Sequence, residues 1–115
     1  MKNFFLAMGL LFFSQISNAA ELLQVQYDSQ SQVLTLDVVY VGGLKEHKFS
    51  LLLDQCSVEN GTKQLAARLI DSGYNDTGRQ EIFETIQIPL KSVTCKPATL
   101  WVRSGRFSQK SVWID

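Results

Sequence analysis

The sequence predicts an all-β fold, a small antiparallel β-sandwich of about seven strands and of immunoglobulin-like size. Three observations carry that expectation. Apolar residues recur with a period of two, as over Val33–Val41, where Leu34, Leu36, Val38 and Tyr40 alternate with Val33, Thr35, Asp37 and Val39. Turn chemistry breaks the alternation at short intervals, at Asp28–Gln32, Gly42-Gly43, Asn60-Gly61 and Ser104-Gly105. No stretch sustains a helical period between caps. The alternative architecture is a small open β-barrel, built from the same kind of strand.

The first residues stand apart from this pattern. Lys2 precedes an apolar run from Phe4 to Ile16, and Ser17-Asn18-Ala19 before Ala20 place small residues where a signal peptidase reads them. That three-part arrangement is a secretory signal peptide over residues 1–19. The apolar run is too short for a transmembrane segment, and no cysteine stands at the cut to take a lipid anchor. The expected mature chain, residues 20–115, is one exported domain, periplasmic or secreted.

Within it, Leu22–Tyr27 forms a hairpin with Val33–Val41 across Asp28–Gln32, whose Asp and Ser side chains can mimic backbone turns. His47, Phe49, Leu51 and Leu53 then share one strand face, with Lys48, Ser50 and Asp54 opposite. Ser57–Lys63 reads as a polar loop around Asn60-Gly61. Gln64–Asp71 alternates poorly and fits a strand or a single helical turn; the turn-rich Asp71–Gly78 that follows favours the strand. From Gln80 to Leu90, Ile82, Ile86, Ile88 and Leu90 keep one parity, broken by Glu84, and Pro89 puts the far end at an edge or terminus. Ala98–Arg103 and Arg106–Ile114 flank Ser104-Gly105 as a last hairpin. There Phe107 and Trp113 oppose Val112 and Ile114, which predicts a bulge.

Two cysteines, Cys56 and Cys95, remain after export, and two allow one intramolecular bridge. A closed loop of about 40 residues corresponds to roughly 4 kcal/mol of chain-entropy stabilisation, a large share of the roughly 5–10 kcal/mol expected for so small a domain. The alternative, a reactive or metal-bound thiol pair, finds no CxxC and only one histidine to support it. Placed at the end of the third strand and before the sixth, the pair differs from the antibody-type bridge.

Charge excludes some partners. The chain has 11 Lys plus Arg and 11 Asp plus Glu, and loss of Lys2 with the leader leaves the mature domain near neutral. Nucleic acid is therefore not an expected partner.

Few residues can carry catalysis. His47 is the only histidine; a hydrolase would need it with Asp54 or another carboxylate, yet no nucleophile motif accompanies it. A packed, hydrogen-bonded His47 is the expected state, and a non-catalytic domain without cofactor the expected class. Asp71, Asn75 and Asp76, with Ser72 and Thr77, collect oxygen ligands and make the 71–78 loop a calcium or small-ligand candidate. Its spacing departs from the EF-hand, with Gly73 at the third position and Ile82 where the closing Glu belongs. Asn60-Gly61-Thr62 and Asn75-Asp76-Thr77 match the N-glycosylation pattern and mark exposed loops.

The last hairpin concentrates basic and aromatic residues. Arg103, Arg106, Phe107 and Lys110, interleaved with Trp101 and Trp113, form the candidate surface for a macromolecular partner. In the competing arrangement the aromatics are core and the charges merely solvated.

Gly42-Gly43-Leu44-Lys45-Glu46-His47-Lys48-Phe49 resembles a segment of a group of uncharacterised small exported bacterial proteins that read Gly-Gly-Cys, two polar residues, His, one residue, Phe. Asn75-Asp76-Thr77-Gly78 and Glu84-Thr85-Ile86 are similar to that group's second segment, Gly-Asp-Ala-Cys followed by Glu-Thr-Leu. Leu44 and Gly78 stand here in place of the group's two cysteines. The resemblance implies export and fold but no activity, and it raises the hypothesis that Cys56–Cys95 serves in place of a bridge between those two positions.

Overall fold

The computed structural model describes residues 19–115. The expected signal peptide lies, Ala19 apart, outside the described residues. Seven strands follow in order: β1 (Glu21–Asp28), β2 (Val33–Gly42), β3 (Phe49–Glu59), β4 (Thr62–Asp71), β5 (Gln80–Pro89), β6 (Ala98–Ser104) and β7 (Ser108–Ile114). They make a three-stranded sheet, β1-β2-β5, and a four-stranded sheet, β3-β4-β6-β7. No ladder joins the two, so the sandwich holds and the barrel alternative does not. Every pairing is antiparallel except β4 with β6, which run parallel.

The alternation read from β2 selects the core. Leu34, Leu36 and Val38 are fully buried on its inner face, against Leu65, Ala67 and Leu69 of β4 and Leu100 and Val102 of β6. These three strands are flanked on both sides within their sheets, so their inner side chains lose the most water and contribute most to folding. Inner residues of the edge strands β3 and β5, such as Leu51, Ile82 and Ile86, are only part-buried.

Three sequence expectations need correction. Ser57–Lys63 is no polar loop: β3 and β4 run almost to the turn, which is Asn60-Gly61 alone, with φ of 53° and 80°. Positive φ at both centres is the two-residue hairpin geometry that Asn-Gly favours. The last hairpin has no bulge. Its register is continuous from Ala98↔Ile114 to Ser104↔Ser108 around a turn of Gly105, Arg106 and Phe107. Trp113 simply faces outward while Val112 and Ile114 face in. Bulges occur instead at Leu23 of β1 and at Asp54-Gln55 of β3, opposite Ala66. The β3 bulge restores the inward parity of Cys56, which pairs in register with buried Leu65. His47, finally, precedes β3 and sits in the crossover from β2.

All four edges are protected against strand addition. β1 and β3 are bulged; β5 turns Glu84 inward, where it accepts the Tyr40 hydroxyl at 2.8 Å, and ends at Pro89. On β7, Lys110 occupies the inner-face register position opposite Val102. Bulges and inward charges both discourage a foreign strand from pairing, which leaves the sheet faces and loops as the surfaces for recognition.

Candidate functional site

Two places in the fold concentrate polar chemistry, and they lie apart. The first is a clasp at one end of the sandwich. The crossover from β2 to β3 (residues 43–48) and that from β4 to β5 (residues 72–79) leave from the same end, because β2 pairs with β5 and β3 with β4 at those termini. Asp76 binds them together. Its carboxylate accepts the amides of Gly43 (3.0 Å), Leu44 (3.2 Å) and Lys45 (3.0 Å) from the first crossover and of Gly78 (2.8 Å) from its own. His47 completes the cluster, with Nε2 2.8 Å from Asp76 Oδ2 and Nδ1 2.8 Å from Asp71. The three side chains are nearly all removed from solvent, at 3 % for His47, 9 % for Asp71 and 1 % for Asp76.

Small residues permit this packing. A Cβ on Gly73 would lie 2.8 Å from the His47 ring, and one on Gly78 would press on the Gly42 carbonyl. Tyr40 covers the imidazole, with ring centroids 4.3 Å apart. Around the cluster, Lys48 and Ser72 exchange two hydrogen bonds, and the Lys45 ammonium donates to Asn75 Oδ1 at 2.8 Å.

Electrostatics follow from the geometry. Burial opposes a charged imidazole, but the hydrogen bonds from His47 to Asp76 and Asp71 outweigh it and hold the His47 pKa above its ordinary 6.5. Burial would likewise raise the Asp76 carboxyl; the Gly78 amide, His47 and the amides of Lys45 and Leu44 reverse that and hold it well below the ordinary 3.8. Tyr40 is pushed up to about 12, by burial first and then by its bond to Glu84, so it stays neutral.

A pH dependence of known sign results. The His47 contribution is complete below pH 6.5 and is lost as pH rises through the raised folded value. That of Asp76 is complete above pH 3.8 and is lost as pH falls through its depressed value. Urea midpoints are therefore expected to peak between these two limits and decline on the alkaline side. His47→Gln should remove the alkaline decline. A wild-type profile that stays flat from about pH 6 to 9 would refute the charged clasp.

Both imidazole nitrogens are engaged by carboxylates, and Asp54, the carboxylate a His47-based hydrolase would need, lies on β3 with its oxygen 3.4 Å from Arg68. Of the calcium candidates, Asp71 and Asp76 give their oxygens to His47 and to backbone amides, and Asn75 gives its carbonyl oxygen to Lys45. Among the described residues, no group of three or more His, Cys, Asp or Glu side chains is arranged to hold a metal ion.

The second place is the outer face of the four-stranded sheet. The parallel β4–β6 ladder sets Ala66 beside Trp101 and Arg68 beside Arg103. The β3 bulge brings Asp54 and Gln55 to the same side. Together they line an open depression of about 420 Å³. Trp101 Nε1 donates to Gln64 Oε1 at 2.6 Å, which lays the indole toward β4, where Ala66 leaves room. Trp101 is 39 % exposed, and Trp113, its diagonal neighbour across the β6–β7 pair, is 51 % exposed.

The structure divides the basic hairpin surface. Arg103 lines the depression; Arg106 and Phe107 occupy the turn, with Phe107 75 % exposed; Lys110 sits at the inner-face edge. The aromatics are outside, and the competing core placement fails. Gln64, Ala66 and Arg68 were missed because only the parallel ladder brings them beside Trp101, and such a pairing leaves no local mark in sequence. The mark that was available is the parity of Trp101 and Arg103, opposite to Leu100 and Val102.

The disulfide joins Cys56 to Cys95, with Cα atoms 6.1 Å apart, and ties the β5–β6 connection to β3. No protein-family model, curated protein or solved structure matches the chain.

Proposed function

We propose that this protein is an exported, non-catalytic binding module that presents the outer face of β3-β4-β6-β7 to a macromolecular partner. The observation that carries the proposal is the pair of exposed indoles, Trp101 and Trp113, on one sheet face beside a depression lined by arginine and carboxylate. Large aromatic surface left in water is costly unless a partner covers it, and Trp and Arg are the side chains that most often dominate binding energy. Protected edges leave the two outer sheet faces to bind, and of these the β3-β4-β6-β7 face is the one that carries both indoles and the depression.

Export rests on the leader-like pattern of residues 1–19 and on the disulfide, which persists in oxidising compartments. Among the described residues no helix is long and apolar enough to cross a membrane. Ala20, the first residue after the expected cut, is buried and its carbonyl accepts the Ser104 hydroxyl.

A photo-cross-linking residue at position 111, beside Trp101, tests the reading against one at position 85 on the opposite sheet. In the protein's own exported fraction we expect an adduct from position 111, absent from position 85 and lost on Trp101→Ala. Equal yields from both positions, or none from 111, would refute it.

A further inference from the structure

We infer that the ligand of the outer-face depression is a neutral saccharide; this rests on the binding reading above and adds the chemical class. A sugar ring offers two kinds of surface, a C–H face and a rim of hydroxyls that donate and accept. The depression matches both. Its aromatic element is an indole held through Nε1 to Gln64, and Ala66 in register beside it keeps the site hollow. A pre-positioned ring loses less entropy when a ligand stacks on it.

Around that ring the polar groups are mixed. Asp54 offers acceptors, Arg68 and Arg103 offer donors, and Gln64 and Gln109 offer both. Such a set suits hydroxyls, each of which needs a donor and an acceptor. Charge balance argues against an anionic polymer: the lining carries two carboxylates, Asp54 and Glu59, against the two guanidiniums, with Arg68 already 3.4 Å from Asp54. A protein partner fits less well, because the centre of a protein interface is depleted in carboxylates, whereas here Asp54 and Glu59 both line the depression. Trp113 lies one diagonal step from Trp101, about 7–8 Å for such neighbours, and extends the stacking surface toward a second sugar along a chain. The ligand is thus an oligosaccharide rather than a single ring.

The test is tryptophan fluorescence titration with soluble hexasaccharides: β-1,4-glucose, β-1,4-N-acetylglucosamine and α-1,4-glucose, with a sulfated hexasaccharide as the anionic probe. At least one neutral probe is expected to bind. Trp101→Ala should weaken it at least tenfold and Gln64→Leu, which frees the indole, several-fold. Phe83→Ala, on the outer face of the other sheet, should leave it unchanged. Ser111→Lys, which places bulk beside Trp101 without removing apolar surface, is the second blocking variant, and unchanged circular dichroism shows that each variant folds. Binding of the sulfated probe alone, or neutral binding indifferent to Trp101→Ala and Ser111→Lys, overturns the inference. So does the absence of any saccharide binding. If in that last case the position-111 cross-link captures a polypeptide, the binding reading stands and the saccharide falls; if no adduct forms, both fall.

Discussion

Replacing both cysteines, Cys56→Ser with Cys95→Ser, is expected to lower the midpoint of thermal unfolding by about 20 °C, with reduced wild type behaving alike. The sequence separation of 39 residues closes a long loop, and the chain-entropy model assigns it about 4 kcal/mol. The bridge also holds the one connection that carries the chain across at the end far from the clasp, residues 90–97, against an edge strand that the core covers poorly. Other bonds hold this connection too: Leu90 N donates to Gln32 O at 2.8 Å, Lys96 Nζ to Gln32 Oε1 at 2.7 Å and Lys63 Nζ to Lys96 O at 3.1 Å. The two lysine bonds are partly solvated and worth about 1 kcal/mol each at most, so the covalent link should dominate. A shift below about 5 °C would mean that these bonds already restrict the loop as tightly as the bridge does.

The same variant bears on the resemblance to the exported group with Gly-Gly-Cys segments. The amides of Leu44 and Gly78, at the two positions where that group has cysteine, both donate to Asp76. A bridge there would close the clasp end, whereas Cys56–Cys95 closes the other. In this chain the space beside position 78 is taken by the Gly42 carbonyl. Retention of a stable fold in the double variant would count against the idea that one bridge stands in for the other.

What could be read in advance divides along physical lines. Strand faces were legible at Leu34–Tyr40 because burial on one side forces a period of two. The disulfide was legible because two cysteines have one partner each. The breadth of the Asn60-Gly61 turn is not legible in composition: Ser57, Glu59 and Lys63 are polar because they flank a solvated hairpin end, not because they leave the ladder. The β3 bulge was hidden, since Leu52-Leu53-Asp54-Gln55 carries no glycine or other signal for an extra residue. Burial of His47 was anticipated, but its partners were not. The carboxylates of Asp71 and Asp76 looked like calcium ligands because a loop rich in Asp and Asn serves cations and backbone amides with the same oxygens. Only the meeting of two crossovers, 29 residues apart for His47 and Asp76, decides which.

Asp76→Ala is expected to lower the unfolding midpoint by at least about 10 °C, more than truncation of any other side chain in the clasp. One carboxylate there serves four backbone donors and an imidazolium, so its loss orphans several groups at once. Buried donors left unmade carry a larger penalty than the net gain of an ordinary hydrogen bond. Among the described residues Asp71 accepts from His47 and the Gly73 amide alone, so Asp71→Ala should cost visibly less. Asp76→Asn separates shape from charge: the amide keeps one acceptor oxygen but points hydrogens at a site made of N–H groups. It should fall between the two alanine variants and shift the alkaline decline to lower pH, because the imidazolium then keeps only Asp71. If Asp76→Ala unfolds within a few degrees of wild type, the Lys48–Ser72 exchange and the Lys45–Asn75 bond hold the crossovers by themselves. The buried histidine would then be a consequence of the fold's closure at this end and not its cause.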